Sequence, residues 1–204
     1  MSENRASEVL LLVRSLLRDD DVRDLRFSDR ELLDCLERVQ NEFIIDFRQN
    51  VRQLCIKPHY EENGSFEIDY ELAYIFGIWL NENPINFGSF AMASRQNEQF
   101  FAPICAKKYM IFNHIPYKDD ELKIIASVLA EGLEDSTSKL KLDSSFNKAL
   151  SLAIVCEMLL REPSEGNIHR MEFYTQQMEK AKAQIRTKLN TMNNPRFFYT
   201  KASL

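Results

Sequence analysis

The sequence predicts a mainly α fold: a helical bundle with a C-terminal antiparallel helix pair and a small β insertion. Three observations carry that expectation. A capped amphipathic helix begins at Ser28. Two helix-period runs, at about 145–161 and 167–190, are separated by a short polar turn. Strand-like texture is confined to about 51–69 and 104–130. One domain, 1–192, followed by an arm, 193–204, is the simplest organisation, because neither an internal repeat nor a low-complexity linker interrupts the chain.

The elements follow in order. In residues 3–17, Val9, Leu10, Val13, Leu16 and Leu17 fall on one helical face. The acidic stretch Arg18 to Asp24 ends that helix. Ser28 and Glu31 have the spacing of a capping box, in which each side chain satisfies the other's free backbone N–H. Leu32, Leu36, Val39, Phe43 and Phe47 then repeat at spacings of four and three, giving a helix to about Arg48. Val51 to Lys57 reads as a strand ending at Pro58. Asn63-Gly64 is a turn signal, and Ser65 to Ile68 reads as a returning strand. Residues 70–80 are apolar almost all round and read as a third, buried helix stopped at Asn83-Pro84.

Between 85 and 103, Phe87, Phe90, Phe100 and Phe101 bracket a polar run. The four aromatics form an exposed docking surface or tuck under the core, and the sequence leaves both open. Residues 104–115 and 122–129 read as two strands. Leu140 and Leu142 precede an N-cap at Asp143 or Ser144. A fourth helix runs over about 145–161, with Phe146, Ala149, Leu150, Ala153, Ile154 and Met158 on one face. A fifth, over about 167–190, carries a narrow seam of Met171, Tyr174, Met178, Ala181, Ile185 and Leu189. The five-residue connection makes the two antiparallel neighbours.

Composition narrows function. The net charge is -5 and the pI about 5.4, so no chain-wide basic field for nucleic acid exists. The charge is uneven. No acidic residue follows Glu179, whereas Lys180, Lys182, Arg186, Lys188, Arg196 and Lys201 do. That asymmetry suits head-to-tail association, or merely complements a helix C-terminus. With 5 glycines, phosphate-cradling loops are scarce, and no phosphate-loop, dinucleotide or nucleophile-elbow motif occurs. His59, His114 and His169 lie in separate segments, outside any zinc-helix spacing. Adjacent carboxylates such as Asp19/Asp20 and Asp119/Asp120 read as loop groups facing water. Cys35, Cys55, Cys105 and Cys156 are widely spaced in apolar company and read as reduced, buried thiols. No signal-peptide pattern opens the chain, and no run approaches the ~20 apolar residues of a membrane span. The expectation is an intracellular protein with no catalytic, cofactor or metal site, acting through protein surfaces.

The arm sharpens that expectation. Arg196-Phe197-Phe198-Tyr199, followed by Lys201, places three consecutive aromatics among cations on a terminal tail. Either the tail folds back on its own domain or it docks on another subunit. Arg196, Phe197, Phe198, Tyr199 and Lys201 are the first candidate partner-binding residues; Phe87, Phe90, Phe100 and Phe101 are the second set.

The order of Phe27-Ser28-Asp29-Arg30-Glu31-Leu32-Leu33, a strand-rich insertion, Leu140-Lys141-Leu142-Asp143 with Phe146, Ala149 and Ala153, and the long polar helix 167–190 resembles tailed-phage head–tail connector (adaptor) proteins. The resemblance is one of layout and covers roughly residues 27–190. It implies a virion protein, made in the host cytoplasm, that forms a homo-oligomeric ring, typically dodecameric, at the head–tail junction. Such a ring binds the portal and the tail or nozzle proteins, lies close to the DNA in its channel, and touches no membrane. It also implies that the C-terminal segment reaches a portal or a neighbouring subunit. A cytosolic helical adaptor or regulator, and a nucleic-acid binder using the basic C-terminal end, are the alternatives.

Overall fold

The computed structural model describes residues 3–19, 21, 25–88 and 98–192. Among these are four α-helices, α1 (Ala6–Leu17), α2 (Asp29–Phe47), α3 (Asn147–Arg161) and α4 (Glu165–Met192). Eight strands accompany them: β1 (Val51–Ile56), β2 (Ser65–Glu67), β3 (Leu72–Leu80), β4 (Asn83–Pro84), β5 (Asn86–Phe87), β6 (Phe100–Cys105), β7 (Lys108–Phe112) and β8 (Leu122–Val128). The fold is therefore mixed α and β, with two sheets, and not the expected helical bundle. The chain divides into two compact units. One comprises 1–40 and 131–204, the other 41–130, so the chain leaves the first unit within α2 and returns to it after residue 130.

The first unit is helical. Along α1, Ala6, Val9, Leu10, Val13 and Leu17 are buried, and Arg18 closes the helix in the left-handed region at φ 59°. The predicted capping box forms at the start of α2. Ser28 Oγ accepts from the Glu31 N–H at 3.2 Å, and the Glu31 carboxylate accepts from the Ser28 N–H at 2.9 Å. Leu140 and Leu142 are buried before a single 3-10 turn, Ser144–Phe146. Asp143 caps that turn, its carboxylate accepting from the Ser145 N–H at 2.7 Å. Helices α3 and α4 form the expected antiparallel pair, and every predicted seam position of α4 is buried or half-buried. Near the N-terminus, the amides of Asn4 and Asn147 bond reciprocally at 2.8 and 2.9 Å. The Asn4 amide also donates to the Leu142 carbonyl at 2.9 Å.

The second unit carries both sheets. One has strand order β1-β8-β3-β4 and is antiparallel throughout. The other has order β2-β7-β6-β5, with β5 and β6 parallel. Ile78, Leu80, Leu122, Ile124 and Ala126 of the first sheet meet Phe66, Phe101, Tyr109 and Ile111 of the second in one buried cluster.

The largest correction falls on residues 70–80. The expected third helix is strand β3. Its residues are apolar on both faces, which erases the period of two that marks an ordinary strand. Their chemistry favours a strand even so, because aromatic and β-branched side chains suit a pleated surface. Ile78 and Leu80 enter the core, whereas Tyr74 and Phe76 face outward. The indole of Trp79 lies over Gly77, where an added Cβ would come within 2.6 Å of the ring. The two predicted strands of the 51–69 insertion do not form a hairpin: β1 pairs with β8 and β2 with β7.

Candidate functional site

Exposed apolar side chains occur on both units. In the second unit the outward face of the first sheet carries Val51, Tyr74 and Phe76, which are 53%, 38% and 48% exposed. Val51 and Tyr74 flank Ser127 of β8, with which both are in register. The Tyr74 and Phe76 rings meet edge to face at 4.9 Å, and the Arg48 guanidinium lies 4.0 Å above the Tyr74 ring. In the first unit, Leu11 and Leu12 of α1, Leu160 of α3 and Ile168 and Phe173 of α4 are exposed. Arg170 and Tyr174 both donate to the Leu16 carbonyl, at 3.0 and 3.3 Å, which brings α4 against α1 one turn beyond Leu12. Phe173 packs edge-on against Tyr174 at 5.5 Å. Exposed apolar and aromatic side chains of this kind are what a partner surface would cover.

The predicted partner-binding residues are dispersed. Phe87 is exposed at β5. Phe100 and Phe101 are fully buried: Phe100 stacks on Phe112 at 4.8 Å and Phe101 on Tyr109 at 4.9 Å. Those two rings are core, which answers the open question for this pair. Phe90, Arg196, Phe197, Phe198, Tyr199 and Lys201 lie outside the described residues.

The titratable groups also differ from the sequence reading. Asp120 is not a water-facing partner of Asp119; it is 1% exposed. Its carboxylate accepts from Tyr60 Oη and Asn81 Nδ2, each at 2.9 Å, and from the Tyr117 N–H at 3.1 Å, and His114 Nε2 lies 2.6 Å from it. Burial pushes this carboxyl up, and the hydrogen bonds led by His114 and Asn81 outweigh it, holding it at about 2. Burial, then the adjoining carboxylate, pushes the Tyr60 phenol up. Four partners on one carboxylate make an anchor, ionised at neutral pH, for the loop 113–121 against Tyr60 and Asn81, and not a proton donor there. Asp19 is likewise buried, 3.0 Å from Arg14 and accepting from the Arg26 N–H at 2.8 Å. Spacing alone hid both, because adjacent acids look alike until the fold buries one of them.

Of the thiols, Cys35 is buried and Cys156 half-buried, but Cys55 and Cys105 are exposed, contrary to expectation. Burial, then the Glu157 carboxylate, pushes Cys35 up to about 12. Among the described residues, no three His, Cys, Asp or Glu side chains are grouped to hold a metal ion. No helix among them is long and apolar enough to cross a membrane. No known protein family matches the chain, and neither does any curated protein.

Proposed function

We propose that the protein is a structural subunit of a homo-oligomeric assembly, a tailed-phage head–tail connector ring that binds beneath the portal. The observation that carries this reading is the exposed apolar surface on both units: Leu12 and Phe173 on the helices, Val51, Tyr74 and Phe76 on the sheet. A subunit held by neighbours on two sides needs two such surfaces, one for each flank of a ring.

Layout supports the same reading. The capped α2, the strand-rich unit inserted after it, the buried Leu140 and Leu142 with the Asp143 cap, and the α3–α4 hairpin occur in the order on which the connector resemblance rests. The expected helical-bundle description is not part of the proposal, since the subunit is mixed α and β.

Electron microscopy of the purified chain, alone and mixed with a portal ring encoded in the same genome, tests it. A closed ring with a central channel, free or seated on the portal, is the expected result. A monomer that leaves the portal particles unchanged would overturn it and favour the adaptor or regulator alternative.

A further inference from the structure

The outer edge of β1 carries no paired strand among the described residues. β1 is the terminal strand of its sheet and pairs only with β8. The Val128 N–H donates to the Asn50 carbonyl, so even-numbered residues of this ladder turn their backbone groups toward β8. By the same alternation, the N–H and C=O groups of Val51, Gln53 and Cys55 point off the sheet. Among the described residues nothing pairs with them. Edge strands are normally blunted by proline, lysine, a bulge or a covering loop. β1 has none of the first three: its sequence is Val-Arg-Gln-Leu-Cys-Ile and its register with β8 is unbroken.

The edge opens into a groove instead of bulk solvent. A cleft of about 600 Å³ is lined by Gln53, Cys55 and Lys57 together with Glu61, Glu67 and Asp69. Its charge is acidic. Lys108 pairs closely with Glu61 at 2.5 Å and also feels the Glu67 carboxylate, so one cation faces the three carboxylates Glu61, Glu67 and Asp69 from β7. Lys57 and His59 are the basic side chains on the lining.

We propose that this groove takes the segment Pro195–Lys201 of a second copy of the chain, added as a strand to β1. The inference rests on the assembly reading above and names the contact that joins neighbours. The segment is Pro-Arg-Phe-Phe-Tyr-Thr-Lys, in which the aromatic residues and Thr200 favour a strand. Its cations, Arg196 and Lys201, complement Glu67 and Asp69. Lengths agree, since β1 spans ~20 Å and seven extended residues reach ~23 Å. Backbone bonds to Gln53 and Cys55 supply the attachment, and the charges set direction and register.

Hydrogen exchange on the full chain, at low and high protein concentration, tests the proposal alongside its mass by light scattering. The amides of Gln53 and Cys55 should exchange at least tenfold more slowly when the chain associates. Glu67→Lys with Asp69→Lys should abolish that protection, and adding Arg196→Glu with Lys201→Glu should restore it. Gln53→Pro, which removes an outward N–H and no ladder bond, should also weaken association at least tenfold. An associating chain whose Gln53 and Cys55 amides exchange alike at every concentration would overturn the groove contact while leaving the assembly reading standing. A monomer with both amides protected would mean that the segment docks in its own groove, and would overturn the contact between copies. A monomer with neither amide protected would overturn the groove contact, and would overturn the assembly reading as well where it also leaves portal particles unchanged.

Discussion

His114 Nε2 sits 2.6 Å from Asp120 Oδ2, at a carboxylate that also holds Tyr60, Asn81 and the Tyr117 N–H. The acid side of the stability profile follows from this pair. The carboxyl titrates at about 2 in the folded chain against an ordinary 3.8. A depressed carboxyl contributes stability that is fully present above pH ~4 and is lost as pH falls toward ~2; the difference is worth about 2 kcal/mol. Urea denaturation of the wild type between pH 5 and pH 2 should show that loss. Asp120→Asn should lower stability at pH 7 by about 3 kcal/mol and flatten the acid limb.

Removing the cap of α2 should be milder. Ser28→Ala removes the hydroxyl that accepts from the Glu31 N–H and donates to the Glu31 carboxylate, and leaves the backbone N–H of residue 28 in place. The expected cost is about 1 kcal/mol, read as a shift of the urea midpoint at unchanged slope.

Two phenylalanines tied together by sequence position separate by burial. Phe101 is 0% exposed in the inter-sheet core and Phe87 is 55% exposed. Phe101→Ala should cost about 3–5 kcal/mol, whereas Phe87→Ala should change stability by less than about 0.5 kcal/mol. Thermal denaturation of the two variants checks the contrast.

The exposed helical pair gives the opposite signature. Leu12→Ser with Phe173→Ser should leave the urea midpoint nearly unchanged, because neither side chain is core. Association, read by sedimentation, should weaken at least tenfold, the loss expected when central apolar contacts of an interface are truncated.

How legible the molecule was depended on how local its signals were. The α2 capping box, the buried pair Leu140 and Leu142, the Asp143 cap and the α4 seam all rest on spacings within a few residues, and all are present. Strand β3 was misread because Tyr74 and Phe76 stay outside while Ile78 and Leu80 go in. Apolar groups on both faces hide the strand period and imitate a buried helix. Strand pairing was not legible either, since Val51 meets Ser127 and Phe66 meets Tyr109 across long stretches of chain. The Asp120 anchor needed Tyr60, Asn81 and His114 brought together from three segments. The free edge of β1 depended on that same long-range pairing.

The mass of the full chain in solution, measured by light scattering before and after removal of residues 193–204, tests the assembly function most directly. Assembly through the C-terminal segment predicts a concentration-dependent oligomer that falls to a monomer on truncation, with the circular-dichroism spectrum retained. A monomer at every concentration, indifferent to truncation and unable to bind a portal ring, would contradict it.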